Sequence, residues 1–158
     1  MKYRQFLTIA KQINLQLNVR PLLFGSLGLE RRLCADLKAD DIDVLLPEYY
    51  LHDGWVELRS LMESLGYELY DLHEHAFVKE ACSVAFASIE GLVPFAGVDI
   101  AAIPTVYDSG AEYLLLGLPD YQKVYKASSK DGYRVNKKEK KDNEKLALIS
   151  KALNKWDG

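Results

Sequence analysis

The most informative segment of the chain runs from Gly25 to Asp43 and reads GSLGLERRLCADLKADDID. It follows the apolar residues 22–24 and opens with a glycine turn, after which Ser26 can cap a helix. Asp41 and Asp43 are two residues apart, and alternate residues of a strand point to the same face of a sheet. Free backbone N–H groups at the start of the helix would face a phosphate. The pattern therefore predicts a strand, a turn, a helix and a second strand around a site for a metal-bound nucleoside triphosphate.

A third carboxylate stands in residues 93–101, which read VPFAGVDIA and contain one charged residue, Asp99. A lone buried carboxylate is costly, so it needs a partner. Mg²⁺ is the predicted partner, shared with Asp41 and Asp43, because hard cations with oxygen ligands are what triphosphate chemistry uses.

With these residues the chain resembles the nucleotidyltransferase superfamily that includes polymerase β. In that family a Gly-Ser or Gly-Gly turn, an Asp-x-Asp or Asp-x-Glu strand and a third acid on a neighbouring strand form the active site. The matching positions here are Gly25, Ser26, Asp41, Asp43 and Asp99. The small size, residues 64–68 (SLGYE) and Lys141-Asp142 ahead of an apolar helix look most like small lincosamide-type antibiotic nucleotidyltransferases, with minimal nucleotidyltransferases as the other close type.

The fold expected on this basis is α+β, a nucleotidyltransferase-like mixed sheet with helices mainly on one face and a small C-terminal helical part. Apolar periodicity predicts helices over residues 4–17 and 51–65. Further strands are predicted over residues 67–72, 76–79, 84–89 and 95–103, the last two pairing across Gly91. A chain of 158 residues buries roughly 70% of its unfolded surface, so one domain is expected.

Within that domain, residues 1–104 are predicted to form the catalytic core and residues 105–158 a C-terminal helical lobe. A short strand is predicted over residues 112–116, and Pro119 suits the first turn of a helix that ends near residue 128. The last helix is predicted to start at Asn136, which has Glu139 three residues later in a capping-box pattern. The resemblance implies that the acceptor binds between this lobe and the carboxylate sheet.

The composition limits the partners. A formal net charge of −3 and a pI near 5.6 disfavour a general nucleic-acid binder and favour a small or cationic acceptor. No apolar run approaches the roughly 20 residues of a membrane helix, and the N-terminus has no signal-peptide pattern, so the protein is expected to be cytoplasmic. Cys34 and Cys82 are then expected to be free thiols. A homodimer stays an open alternative.

Cations near these motifs are candidates for contact with the triphosphate, although each has an ordinary role as a solvated surface charge. Gly25 and Ser26 are expected to bind β and γ oxygens. The candidate cations are Arg31, Lys38, Lys137 and Lys141.

The resemblance implies transfer of a nucleoside monophosphate, AMP from Mg-ATP, to a hydroxyl of a small molecule, with release of pyrophosphate. An antibiotic is one such acceptor, which would make the activity one of antibiotic resistance. Asp41 and Asp43 would hold Mg²⁺ in a two-metal site, and Asp99 would join the second metal and help to deprotonate the acceptor. Two alternatives stay open: modification of a partner protein, as in toxin–antitoxin pairs, and a non-catalytic nucleotide-binding module of the same fold.

Overall fold

The computed structural model describes residues 2–130 and 137–157, with side chains for residues 2–129 and 142–155. The helices are α1 (Lys2–Leu17), α2 (Gly25–Leu33), α3 (Trp55–Ser64), α4 (Leu92–Ala96), α5 (Leu118–Lys130) and α6 (Lys137–Asp157). The strands are β1 (Leu22–Phe24), β2 (Ile42–Leu46), β3 (Glu68–Asp71), β4 (Ala76–Lys79), β5 (Cys82–Ser88), β6 (Thr105–Asp108) and β7 (Ala111–Leu114). Short 3₁₀ turns cover Glu48–Leu51 and Ile100–Ala102.

All seven strands belong to one sheet in the order β3-β4-β5-β2-β1-β7-β6. The sheet is mixed, because β2 runs parallel to β5 and β1 parallel to β7 while the other neighbours are antiparallel. The register places Asp43 between Phe24 of β1 and Ala85 of β5. The predicted α+β class with a mixed sheet is confirmed. The helices, which were expected mainly on one face, instead pack on both faces of the sheet.

Alternate residues of the central strands supply two cores. Leu23 and Val44 belong to the first, which the apolar sides of α1 and α3 complete. Leu22 and Leu45 belong to the second, which contains residues of α4, α5 and α6, including the fully buried Ile149. Because successive strand residues face opposite ways, β1 and β2 tie the two cores together.

The predicted strand over residues 95–103 is wrong. This segment contains the end of α4 and a 3₁₀ turn. Pro94 lies in the first turn of α4, where the backbone N–H that proline lacks would have no helical partner. Gly97 then ends the helix with φ 66°, in the left-handed region. An apolar run of this length fits a short buried helix as well as a strand, and periodicity does not separate them.

The sheet also continues beyond residue 104, where a helical lobe was predicted to begin. β7 follows Pro104 and β6 in the chain and pairs with β1 at the centre of the sheet. The short strand predicted over residues 112–116 corresponds to β7, and only α5 and α6 form the helical part. Asn136, the predicted cap of the last helix, lies outside the described residues.

Candidate active site

A cavity of about 570 Å³ opens where the turn between β1 and α2 meets β2 and β5. Gly25 and Ser26 come from the first turn of α2, whose N-cap is Phe24 and not Ser26 as predicted. β2 contributes Asp43. The opposite wall comes from α5 and α6. A volume of this size is within the roughly 300–1,000 Å³ that small-molecule sites occupy.

The glycine turn lies directly against the carboxylate. Gly25 has φ 65°, a backbone conformation that costs other residues energy. A Cβ placed on Gly25 would stand 2.5 Å from Oδ2 of Asp43. From the other side, the buried Tyr121 of α5 donates a hydrogen bond from its hydroxyl to the carbonyl oxygen of Gly25 at 3.4 Å. The turn is therefore held between the Asp43 carboxylate and α5.

Asp43 is half-buried, and burial is the largest cause of its raised pKa. The neighbouring carboxylate of Asp41, which is exposed just before β2, raises the pKa of Asp43 further. The ammonium of Lys145 on α6 lowers it. A carboxylate whose charge is disfavoured by burial and by a neighbouring carboxylate is a position at which a bound cation would be stabilised.

The donor set fits a hard cation. The cavity lining includes Asp43 and Ser26, and Asp41 is exposed in the bend just before β2. All three offer oxygen ligands, which Mg²⁺ prefers, and triphosphate oxygens would complete its coordination. Over the part of the chain that the structure describes, there is no group of three or more His, Cys, Asp or Glu side chains that could hold a metal ion. A cation here would thus depend on two protein carboxylates together with a ligand.

Asp99 does not lie in this cavity. It is exposed, and its Oδ1 accepts a hydrogen bond from the backbone N–H of Ala101 at 3.2 Å, which caps the 3₁₀ turn. The expectation of a lone buried carboxylate was therefore wrong. The strand beside β2 is instead β5, which presents Ala85 opposite Asp43 and also lines the cavity with Ala87.

The cations predicted to contact phosphate lie elsewhere or outside the described side chains. The guanidinium of Arg31 covers the ring of Tyr3, 3.8 Å from its centroid, in a small depression separate from the cavity. Lys38 is exposed in the loop before β2. The side chains of Lys137 and Lys141 lie outside the described residues.

The wall formed by α5 and α6 contains site residues that the sequence pattern did not single out as one group. Its cavity-lining polar members are Tyr125, Ser128, Asp142 and Lys145. Glu74, from the turn between β3 and β4, also lines the cavity. The i, i+3 spacing of Asp142 and Lys145 on one helix was the available signal. It indicates a shared face without indicating what that face covers.

No protein-family model matches the chain. Among solved structures, antibiotic-resistance factor ANT(2'')-Ia in solution has a TM-score of 0.52 at 18% identity, over 97% of this chain and 86% of that one. Crystalline ANT(2'')-Ia in complex with adenylyl-2''-tobramycin has a TM-score of 0.54 at 18% identity, over 95% and 90%. An antigenic nucleotidyltransferase-like protein from Paracoccidioides brasiliensis has a TM-score of 0.59 at 13% identity, over 94% and 75%.

These similarities show that the fold is that of the nucleotidyltransferases. No helix within the described residues is long and apolar enough to cross a membrane. In sequence, the chain is 44% identical over 151 residues to a protein of Bacillus subtilis (strain 168) called Uncharacterized protein YnaI, across 96% of this chain and 97% of that protein. The chain therefore belongs to the same family as YnaI, on a nucleotidyltransferase fold.

Proposed function

We propose that the protein is a metal-dependent nucleotidyltransferase that transfers AMP from Mg-ATP to a hydroxyl of a small-molecule acceptor and releases pyrophosphate. The observation that carries the proposal is the contact between the Gly25–Ser26 turn and Asp43 within one cavity. A turn that can bind phosphate and a carboxylate that can bind a cation then lie side by side, where both can contact the same triphosphate.

In this reaction the acceptor hydroxyl gives its proton to water and its oxygen forms a bond to the α-phosphorus. The bond from the α-phosphorus to the oxygen that bridges to the β-phosphorus breaks, and pyrophosphate leaves with that oxygen. Mg²⁺, when bound, would neutralise phosphate charge and polarise the reacting phosphorus. Asp41 and Asp43 would hold it, and the Gly25–Ser26 turn would bind the terminal phosphates. The protein would thus act mainly by positioning and electrostatics.

A small acceptor is supported by the charge of the chain and by the fold comparison. The net charge of −3 is unfavourable for a long nucleic-acid acceptor. ANT(2'')-Ia, which shares the fold, was crystallised with the adenylylated antibiotic adenylyl-2''-tobramycin. We therefore place aminoglycosides and lincosamides, which carry hydroxyl groups, first among the acceptors to be screened.

One observation favours a second candidate function, a nucleotide-binding module that does not carry out transfer. β5 places a methyl group, Ala85, beside Asp43, and Asp99 is outside the cavity. The site then has Asp43 on β2 and Asp41 just before it to hold a cation, but no carboxylate on the adjacent strand to assist the acceptor. Binding without turnover is the expected behaviour of such a site.

The test measures pyrophosphate release and transfer of label from [α-³²P]ATP with Mg²⁺ and a panel of aminoglycosides and lincosamides. Asp43→Asn is compared with Asp53→Asn, whose side chain is exposed in the turn before α3. The proposed transferase predicts a labelled product that Asp43→Asn loses and Asp53→Asn keeps. Mg²⁺-dependent ATP binding with no pyrophosphate from any acceptor supports the binding module, and the absence of ATP binding contradicts both.

A further inference from the structure

We propose that α6 recognises the nucleoside part of the triphosphate, with Asp142 accepting hydrogen bonds from the ribose hydroxyls and Lys145 contacting the phosphates. This inference rests on the proposed function, since it concerns the same cavity. It adds a ribonucleotide preference that Asp41 and Asp43 do not provide.

Asp142 is unusual for a charged residue because it is 4% exposed and lines a cavity. Its Oδ2 accepts a hydrogen bond from the Ser128 hydroxyl of α5 at 2.8 Å. An ionised carboxylate has about four acceptor positions and donates nothing, so this bond fills one of them. A ligand in the cavity that Asp142 lines can donate further hydrogen bonds to this carboxylate, and such bonds offset the cost of burying its charge.

Lys145 is one turn along α6 and lines the same cavity. Its ammonium is 5.2 Å from the centroid of the Tyr125 ring and close enough to Asp43 to stabilise that carboxylate's charge. A metal ion bound at Asp43 would place a second positive charge near this ammonium. A polyphosphate between them removes that repulsion, so Lys145 would contact phosphate oxygens in the loaded site.

The spacing of the two residues favours ribose over base as the partner of Asp142. Residues three apart on a helix have Cβ atoms about 5–6 Å from each other. In a nucleotide, the ribose is the group next to the α-phosphate, and the base lies beyond it. If Lys145 contacts the phosphates beside Asp43, the Asp142 carboxylate one turn away lies at the ribose. The two ribose hydroxyls can donate hydrogen bonds, and a carboxylate can only accept them.

The experiment measures affinity by isothermal titration calorimetry, with Mg²⁺ present, for ATP, 2',3'-dideoxy-ATP and inorganic tripolyphosphate. The variants are Asp142→Asn, which keeps the side-chain size and an acceptor for Ser128, and Lys145→Gln. Lys151→Gln, an exposed position on the same helix, is the matched control. Circular dichroism checks that each variant is folded.

Wild type is expected to bind ATP about tenfold more tightly than 2',3'-dideoxy-ATP, because the dideoxy nucleotide lacks the hydroxyl donors that Asp142 would accept. Asp142→Asn should lose this preference and leave dideoxy-ATP affinity unchanged. Lys145→Gln should weaken ATP and tripolyphosphate alike by about tenfold. Lys151→Gln should match wild type.

Several results would overturn the inference and leave the proposed function standing. One is equal affinity of wild type for ATP and dideoxy-ATP. This result would show that the ribose hydroxyls do not contribute to binding, even if Asp142→Asn fails to fold. Another is Asp142→Asn with unchanged ATP affinity, or with equal losses for both nucleotides. A third is Lys145→Gln that binds tripolyphosphate as wild type does. If wild type binds no nucleotide, the proposed function and this inference fail together.

Discussion

Gly25 matters for two reasons that can be tested separately: its backbone conformation and the space left by its missing Cβ. Its φ of 65° strains any side chain, and its missing Cβ leaves room for the Asp43 carboxylate. Gly97 has nearly the same φ, 66°, with nothing within 4 Å of the position of its Cβ. Gly25→Ala and Gly97→Ala are therefore both expected to lower the free energy of unfolding by about 1–2 kcal/mol.

Only Gly25→Ala should also abolish Mg²⁺-dependent ATP binding, because its methyl group must displace Asp43. Urea unfolding measures the strain that both variants share, and calorimetric titration measures the difference between them. Equal ATP affinity in the two variants would contradict the close packing of turn and carboxylate.

Asp43 is expected to destabilise the ligand-free protein. Burial raises the pKa of its carboxyl group and Asp41 raises it further, so the folded state binds the proton more tightly than the unfolded chain does. Between the ordinary and the raised pKa the folded state holds more protons, and the stability of wild type falls as the pH rises through that interval.

Asp43→Asn, which has no charge to bury, should consequently be more stable than wild type at neutral pH in the presence of EDTA. The difference in the free energy of unfolding between Asp43→Asn and wild type should narrow as the pH falls through the raised pKa of Asp43. Urea unfolding at a series of pH values measures it, with the exposed Asp53→Asn expected to follow wild type throughout. An Asp43→Asn variant that is less stable than wild type at neutral pH would show that the carboxylate is stabilised by its surroundings.

At the scale of the helix, α6 contributes to the fold as well as to the cavity. Ile149 is fully buried in the second core, whereas the next residue back, Leu148, is 42% exposed. Ile149→Ala should lower the free energy of unfolding by about 2–5 kcal/mol. Leu148→Ala, which removes a side chain of the same composition, should change it by about 0.5 kcal/mol. Similar losses in the two variants, measured in urea, would mean that α6 packs differently.

The elements that the sequence predicted well have strong local signals. Residues 22–46 contain an apolar run, a glycine turn and two carboxylates, and they form β1, α2 and β2 in the predicted order, with Asp41 just before β2 and not within it. Residues 92–103 lack such signals. The backbone geometry of Pro94 and Gly97 determines that this segment forms a short helix, and an apolar pattern of this length does not distinguish such a helix from a strand.

The half of the site on β1, α2 and β2 was therefore predictable, whereas the half on α5 and α6 was not. Asp142 and Lys145 reach the cavity only because the two helices pack over the sheet about 100 residues after Asp43. No local pattern encodes that contact. The sequence showed their spacing on a helix, and the fold determined what they face.

For the whole molecule, the two cores should unfold together. β1 and β2 contribute alternate residues to both, so neither face of the sheet can separate without breaking the strands that support the other. The chain has two tryptophans: Trp55 packs against the first core, and Trp156 lies in the sequence of α6. Trp156→Phe and Trp55→Phe each leave one fluorescent reporter, on α3 and on α6 respectively.

Both reporters should give the same midpoint in urea as far-UV circular dichroism of the same variant, as a two-state domain requires. Mg-ATP at about 100 times its dissociation constant should then raise the free energy of unfolding by about 2.7 kcal/mol for both reporters. A ligand held between sheet and helices stabilises the entire cooperative unit. If the ligand were held by the turn alone and α5 and α6 unfolded separately, only the Trp55 signal would shift. Two distinct midpoints in the absence of ligand would show that α5 and α6 form a separate unit, and would place the cavity at a boundary between parts that can open.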